Sequence, residues 1–339
     1  MIKIPDVKEI VMKIIADVMG GDLSPLEMIK GAADASALTD SEIILVGSED
    51  QIKKSAEENG IDISKFEIVN AEDVITMEDD PITAVRKKPE ASMIKGLRML
   101  ANGEGDAFVS CGNTGALFTA SYLIVRRIKG VIRPGIGSIL PLATPTMLLD
   151  SGANVECEPE YLMQFAAMGS IYMDKIYGMK NARVGLLNNG AEESKGTPLH
   201  VEAHKRLAES DKINFVGNVE ASKLASDPCD VLVADGFTGN IFLKTFEGVG
   251  SIFFGEMKKI FFANTRTKIA ALLAKSRVYE MKKRYDPEET GGSPILGIKK
   301  PVVKAHGSSR AKAFKNAILK AEEYAQSGII DQIEAELSK

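Results

Sequence analysis

Residues 108–120 read FVSCGNTGALFTA, and this stretch decides the fold class. Asp106 to Ser110 is an apolar run of strand length, and Cys111-Gly112-Asn113-Thr114-Gly115 is a turn without a large side chain. Ala116 to Arg126 is then apolar at helical spacing, so the turn joins a buried strand to a helix. A helix start leaves backbone N–H groups unpaired and carries partial positive charge, which suits a phosphate or a developing oxyanion. The same residues also fit an ordinary strand-to-helix turn capped by Asn113 or Thr114.

The pattern repeats outward from this turn. Upstream strands are expected at Lys13–Val18, Glu42–Gly47 and Phe66–Asn70, with helices at Glu49–Asn59 and Glu90–Ala101. Ser24, Pro25 and Glu27 have the spacing of a capping box that opens a helix. Downstream strands are expected at Arg133–Leu140, Thr146–Leu149, Arg183–Leu187, Ile213–Val216, Asp230–Ala234 and Pro301–Ala305, with a helix at Pro159–Tyr177 and a final helix from Ser309. Alternating strands and helices predict a mostly parallel sheet covered on both faces, with ligands received at strand C-terminal ends. Small polar turns fall at five such ends: Gly20-Gly21-Asp22, Gly112 to Gly115, Asn188-Asn189-Gly190, Gly217-Asn218 and Asp235-Gly236. They are expected to share one anion or acyl-transfer site.

Composition narrows the classes. The chain has 339 residues, 45% hydrophobic and 26% charged, as a globular protein does, with formal net charge -5. That balance argues against nucleic acid as the main partner. Cys111, Cys157 and Cys229 form no CxxC pair, so neither a zinc site nor a disulfide framework is expected, and a reducing cytoplasm fits. The first residues show no leader pattern, and no stretch is apolar enough to span a bilayer. No GxxxxGK[ST] or GxGxxG fingerprint occurs, which sets aside P-loop nucleotide hydrolysis and disfavours a dehydrogenase; neither cofactor nor metal is expected.

Residues 241–285 differ in kind. They hold six of the 13 phenylalanines, and Phe246, Val249, Phe253, Met257 and Ile260 are expected on one helical face. Between Lys258 and Arg284 nine basic residues stand against one acid, Glu280. This segment reads as two helices separated at Asn264-Thr265, a lobe within one α/β domain spanning 1–339. Lys258, Lys259, Phe261, Phe262, Arg266 and Lys268 are its candidates for contact with a partner subunit, an acidic protein or an anionic membrane.

Taken in order, DVMGGDLSP, PITAVRKKPEASM, FVSCGNTGAL, LDSGANVECEPEYLMQFAAMGS, RVGLLNNGAEESKG, NFVGNVE, DGFTGN, GGSPILGI and VVKAHGSS resemble the PlsX family of bacterial phosphate acyltransferases, over nearly the whole chain. Val18, Cys111, Thr238, Asn189 and Ala191 depart from the family's usual residues, and the family pattern begins near Met12, which leaves Met1 and Met12 as alternative starts. The resemblance implies a three-layer α/β/α fold related to isocitrate and isopropylmalate dehydrogenases and to phosphotransacetylases. It implies a homodimer acting early in phospholipid synthesis, in the cytoplasm and with peripheral contact to the membrane's inner face. It also implies the reaction: an acyl-acyl carrier protein thioester plus inorganic phosphate gives acyl phosphate and free carrier protein, for a downstream glycerol-3-phosphate acyltransferase.

For that chemistry Asn113, Thr114, Lys195 and His306 are the catalytic candidates. Gly20, Gly21, Asp22, Gly112, Gly115, Asn188, Asn218, Asp235, Gly236, Asn240 and Lys304 are the substrate-binding candidates. Cys111 is expected to be a bystander. An acyl-coenzyme A enzyme of phosphotransacetylase type, and a non-catalytic membrane-docked scaffold for carrier protein, are the competing expectations.

Overall fold

The computed structural model describes residues 11–226 and 228–338. Of the alternative starts, Met1 lies outside the described residues and Met12 within them, and the residues read for a leader pattern lie outside them up to residue 10. The first half of the chain runs β1 (Lys13–Asp17), α1 (Leu26–Ala35), β2 (Glu42–Gly47), α2 (Glu49–Asn59), β3 (Glu67–Asn70), α3 (Pro81–Lys87), α4 (Ser92–Asn102), β4 (Ala107–Ser110) and α5 (Thr114–Ala120). A π turn at Ser121–Val125 extends α5, so the expected helix to Arg126 is regular only over its first part. Then follow β5 (Gly135–Leu140), β6 (Thr146–Leu149), α6 (Pro159–Tyr177), β7 (Val184–Asn188), α7 (Pro198–Glu209), β8 (Phe215–Glu220) and β9 (Val231–Val233). The chain ends with α8 (Gly236–Phe262), α9 (Thr265–Arg284), α10 (Pro287–Thr290), β10 (Ser293–Leu296), β11 (Val302–Lys304), α11 (Ala311–Gln326) and α12 (Ile329–Leu337).

All eleven strands form one sheet, ordered β3-β2-β1-β4-β11-β10-β5-β6-β9-β7-β8. Seven pairings are parallel and three antiparallel. The antiparallel ones are consecutive, β11–β10, β10–β5 and β5–β6. Three reversals leave β6, β9, β7 and β8 running against β1 to β4 and β11. The five turns therefore belong to two sets of strand ends with opposite direction, rather than to one edge.

Side-chain alternation explains why both faces are covered. In β1, Ile14 and Ala16 join one core with Met28 of α1 and Phe314 of α11, while Ile15 joins another with Ile94 and Leu97 of α4. Phe108 and Val109 of β4 divide the same way. In the second half, Leu232 of β9 and Leu148 of β6 form a third core with Leu187 and Val219, against Phe242 and Phe246 at the base of α8.

Three local expectations fail for identifiable reasons. The capping box does not form: Ser24 Oγ accepts instead from Gly21 N at 2.9 Å, and Glu27 Oε2 accepts from Ala311 N at 2.9 Å. Ser24 serves the preceding turn and Glu27 a tertiary contact, rather than their own helix. The strand expected at Ile213–Val216 lies later, at Phe215–Glu220, so Gly217 and Asn218 are inside a strand and not in a turn at its end. On α8 the expected apolar face is rotated: Val249, Phe253 and Ile260 are exposed, while Phe246, Phe254, Met257 and Phe261 are half-buried. The inward row packs toward α9, whose half-buried positions are Thr267, Ala271, Ala274, Val278 and Met281. No helix among the described residues is long and apolar enough to cross a membrane.

Candidate functional site

The first cluster of turns surrounds the ends of β1, β4 and β11. Gly20 and Gly112 touch through their backbones: a Cβ on Gly20 would stand 2.8 Å from the Gly112 Cα. Asp17, fully buried at the end of β1, accepts from Ser92 Oγ and Ser110 Oγ at 2.7 Å each, and Ser110 Oγ accepts from Gly112 N at 3.0 Å. Burial pushes the Asp17 carboxyl upward in pKa, and the two hydroxyls with the Met19 and Gly20 amides pull it back. This buried network pins the opening turn. Asp22 N donates to Gly307 O at 2.9 Å, closing the cluster from the β11 side.

Asn113 caps α5, its Oδ1 accepting from Ala116 N at 3.0 Å. Its Nδ2 lies within hydrogen-bond reach of the Thr76, Met77 and Asp79 carbonyls. The side chain is thus occupied in holding the turn, and what the turn offers a ligand is backbone together with the exposed Thr114 and half-buried Gly115. Cys111 is buried with its thiol 3.3 Å from Met28 Sδ, and burial pushes its pKa up to about 12. Lys304 is buried beneath the same turn, its Nζ donating to Cys111 O at 3.3 Å and to Ala305 O. Burial lowers its pKa to about 8, against the opposing pull of Cys111, Asp22 and Asp17. His306, by contrast, is exposed, with Nδ1 2.8 Å from Ser308 Oγ.

The second cluster surrounds the ends of β6, β7 and β9. Asp150, also buried, gathers the amides of Ile136, Gly152, Ala153 and Asn154 and the Asn154 side chain. The 150–154 loop this creates presses on the first turn of α8. A Cβ on Gly239 would lie 1.9 Å from Asp150 O, and one on Gly236 2.7 Å from Asn154 N. Asp235 caps α8 by accepting from Thr238 N at 2.9 Å and Thr238 Oγ1 at 2.7 Å. Asn240 lies against Gly152. Nearby, Asn188 Nδ2 donates to Lys195 O at 3.1 Å and Asn218 Nδ2 to Glu192 O at 2.7 Å, so both asparagines shape the loop that carries the exposed Lys195.

His200 and His204, which stand in none of the small polar turns, also belong here. His200 Nδ1 is 2.8 Å from Thr197 Oγ1, and its Nε2 is 3.9 Å from Asp235 Oδ2. Burial lowers the His200 pKa, with Asp235 opposing. His204 Nδ1 meets Asn218 Oδ1 at 3.1 Å. The available signal was their i, i+4 spacing on α7, which puts two of the chain's three histidines on one helix face.

The two clusters meet across a cavity of about 270 Å³, walled by Asp80, Pro81, Thr114 and Gly115 on one side and Ile136, Gly152 and Ala153 on the other. The partner or membrane candidates lie apart from this site, on the hairpin of α8 and α9. There Lys258, Phe262, Arg266 and Lys268 are exposed, Lys259 pairs with Glu256 at 2.6 Å, and Phe261 packs half inward.

A family model described as Fatty acid synthesis protein matches residues 12–332. The phosphate acyltransferase of Acetivibrio thermocellus is 45% identical over 327 residues, covering 96% of this chain and 96% of that protein. Among solved structures, a phosphotransacetylase from Streptococcus pyogenes aligns with TM-score 0.60 at 16% identity, over 93% of this chain and 94% of that one. A 4-hydroxythreonine-4-phosphate dehydrogenase from Klebsiella pneumoniae aligns with TM-score 0.56 at 10% identity, over 93% and 100%. At such identities the structures establish a shared fold alone. The chain belongs to the phosphate acyltransferase (PlsX) family and is an acyltransferase that uses phosphate as acceptor.

Proposed function

We propose that the acyl donor is a long-chain thioester on acyl carrier protein, and that phosphate attacks it directly in the cleft between the two clusters. The observation that carries direct attack is the state of Cys111. Its thiol is buried against Met28 and held at about 12, so it supplies no thiolate near neutral pH. Phosphate is itself anionic and needs positioning more than activation. In this reading Thr114 and Gly115 receive the phosphate or the thioester oxyanion, with buried Lys304 adding positive potential beneath them. Asn240 and the Asp235-capped start of α8 back the loop of the opposite wall, and Lys195 is the candidate cation on the loop after β7. Gly20, Gly21, Asp22, Gly112 and Gly236 give the backbone its close fit, and Asn188 and Asn218 hold the Lys195 loop. Exposed His306 is the candidate to protonate the departing thiolate. Cys111→Ala is expected to keep turnover within a few fold; a loss above a hundredfold in a folded variant would mean covalent catalysis.

The hairpin supports a second part of the proposal. Its basic residues suit an acidic carrier protein or anionic lipid, and its exposed Val249, Ile252, Leu272 and Leu273 suit a second subunit or a membrane surface. On this reading the protein works as a homodimer in the cytoplasm, in peripheral contact with the membrane that holds the next acyltransferase. The deciding experiment supplies phosphate with either acyl-acyl carrier protein or acyl-coenzyme A and follows acyl phosphate. Preference for the carrier-protein thioester is expected; preference for short acyl-coenzyme A would favour the phosphotransacetylase reading, and binding without turnover a scaffold.

A further inference from the structure

A second, larger cavity, of about 630 Å³, opens at the other end of β6 from the cleft. Ile139, Leu142 and Leu319 give it apolar walls, and Arg284, Glu289, Lys320 and Glu323 are the charged residues that line it. Lys320 is 8% exposed. Among the described residues its ammonium makes one hydrogen bond, to Gly292 O at 3.2 Å, although it carries three donors. Burial lowers its pKa to about 8, so it is largely charged at neutral pH. Glu323 opposes that shift from a distance, and neither lining acid forms an ion pair with Lys320 among the described residues. Glu289 is held by Lys312 at 2.9 Å, and Glu323 is exposed at the rim.

A buried cation with unused donors is costly unless an anion completes it. Apolar walls beside a buried cation that holds no ion pair, in a space of this size, match a ligand with an aliphatic body and an anionic head. We propose that this cavity binds one long-chain carboxylate, head group on Lys320 and chain along Ile139, Leu142 and Leu319. The site is separate from the acyl-transfer cleft. Thr146 starts β6 beside this cavity, whereas Gly152 and Ala153, after its last residue, wall the cleft. Its occupant would wedge between the end of α9 and the body of the protein.

The test is calorimetric titration of the full chain with tetradecanoate below its micelle concentration, backed by labelling with a diazirine-bearing tetradecanoate. One equivalent is expected to bind, at least tenfold more weakly in Lys320→Met and in Leu319→Trp, which fills the cavity. The label is expected on peptides covering 139–145 or 316–323. Absence of binding, affinity within twofold of the unaltered chain in both variants, or label confined to the hairpin or the cleft would overturn the proposal. If Lys320→Met does not fold, Leu319→Trp and labelling of the unaltered chain decide it.

Discussion

Gly239 and Gly248 lie on the same helix, and their surroundings are opposite. A Cβ at Gly239 would sit 1.9 Å from the Asp150 carbonyl; at Gly248 it would meet nothing within 4 Å. The same contrast separates the cleft from the hairpin as regions. Around the cleft, Gly20, Gly112, Gly236 and Gly239 are sites of backbone contact, and the carboxylates Asp17 and Asp150 are buried inside hydrogen-bond networks. Along the hairpin, Gly248, Gly250 and Gly255 are open, and α9 buries no residue. Glycine near the cleft answers a demand from neighbouring backbone. Glycine in the hairpin weakens a helix whose outer face is still uncovered.

The sharpest way to break this comparison is Gly239→Ala. The methyl must displace Asp150 or the first turn of α8, a backbone clash that costs about 1–3 kcal/mol or more. Acyl-phosphate formation should fall more than a hundredfold, with a lowered denaturant midpoint; near-normal turnover would show that the 150–154 loop yields freely.

Lys304→Met comes next. Removing a preorganised positive group at a site of charge development costs on the order of a hundredfold in turnover. The sign of the pH effect is specific. Burial lowers Lys304 from its ordinary 10.5 to about 8, so the working cation is lost as pH rises through about 8. The free enzyme's kcat/KM should show a limb there that is missing in Lys304→Met. Stability moves oppositely, because between about 8 and 10.5 the unfolded chain binds the extra proton, so this lysine's contribution to stability rises with pH across that window. A limb that persists in the variant would assign it to another group.

On the hairpin side, Lys258→Glu combined with Phe262→Ser should weaken association with anionic vesicles roughly tenfold, at about 1 kcal/mol per basic residue near the surface plus the lost aromatic burial. Turnover with a soluble donor should stay within twofold. Phe262 serves better than Phe261, because Phe262 is exposed and Phe261 half-buried. Unchanged vesicle binding would reserve the surface for a second subunit or a carrier protein. The smallest effect is Gly248→Ala, expected to stabilise by about 0.5–1 kcal/mol in urea unfolding. Destabilisation there would reveal a close partner for Gly248 in solution.

The sequence made the strands and the turns legible to a residue or two where one pattern governed them. Glu42–Gly47, Glu49–Asn59 and Pro159–Tyr177 appear with the expected bounds, since apolar runs and helix signals act within the segment itself. What it could not convey was anything set by strand direction. Three successive antiparallel pairings turn half the sheet around, and no residue in GGSPILGI declares which neighbour β10 will take. Ser24 and Glu27 misled for another reason, their side chains being claimed from outside the helix, by Gly21 in the preceding turn and by Ala311 across the fold. At the site, Asn113 and Asp235 were legible as special but not in kind, because a cap and a ligand donor use the same side chains. His200 and His204 escaped because Asp235 and Asn218 reach them only through the sheet, Thr197 being a local partner at the start of α7.

The clamp on the first turn of α8 also has a mechanical side. That helix has 27 residues, which at 1.5 Å per residue makes an arm about 40 Å long. Its root presses on the 150–154 loop that walls the cleft, and its tip carries the basic and aromatic residues of the hairpin. A tilt of about 5° at the root moves the tip by about 3.5 Å on that length. The helix is a lever, and its fulcrum is the contact between Gly239 and Asp150.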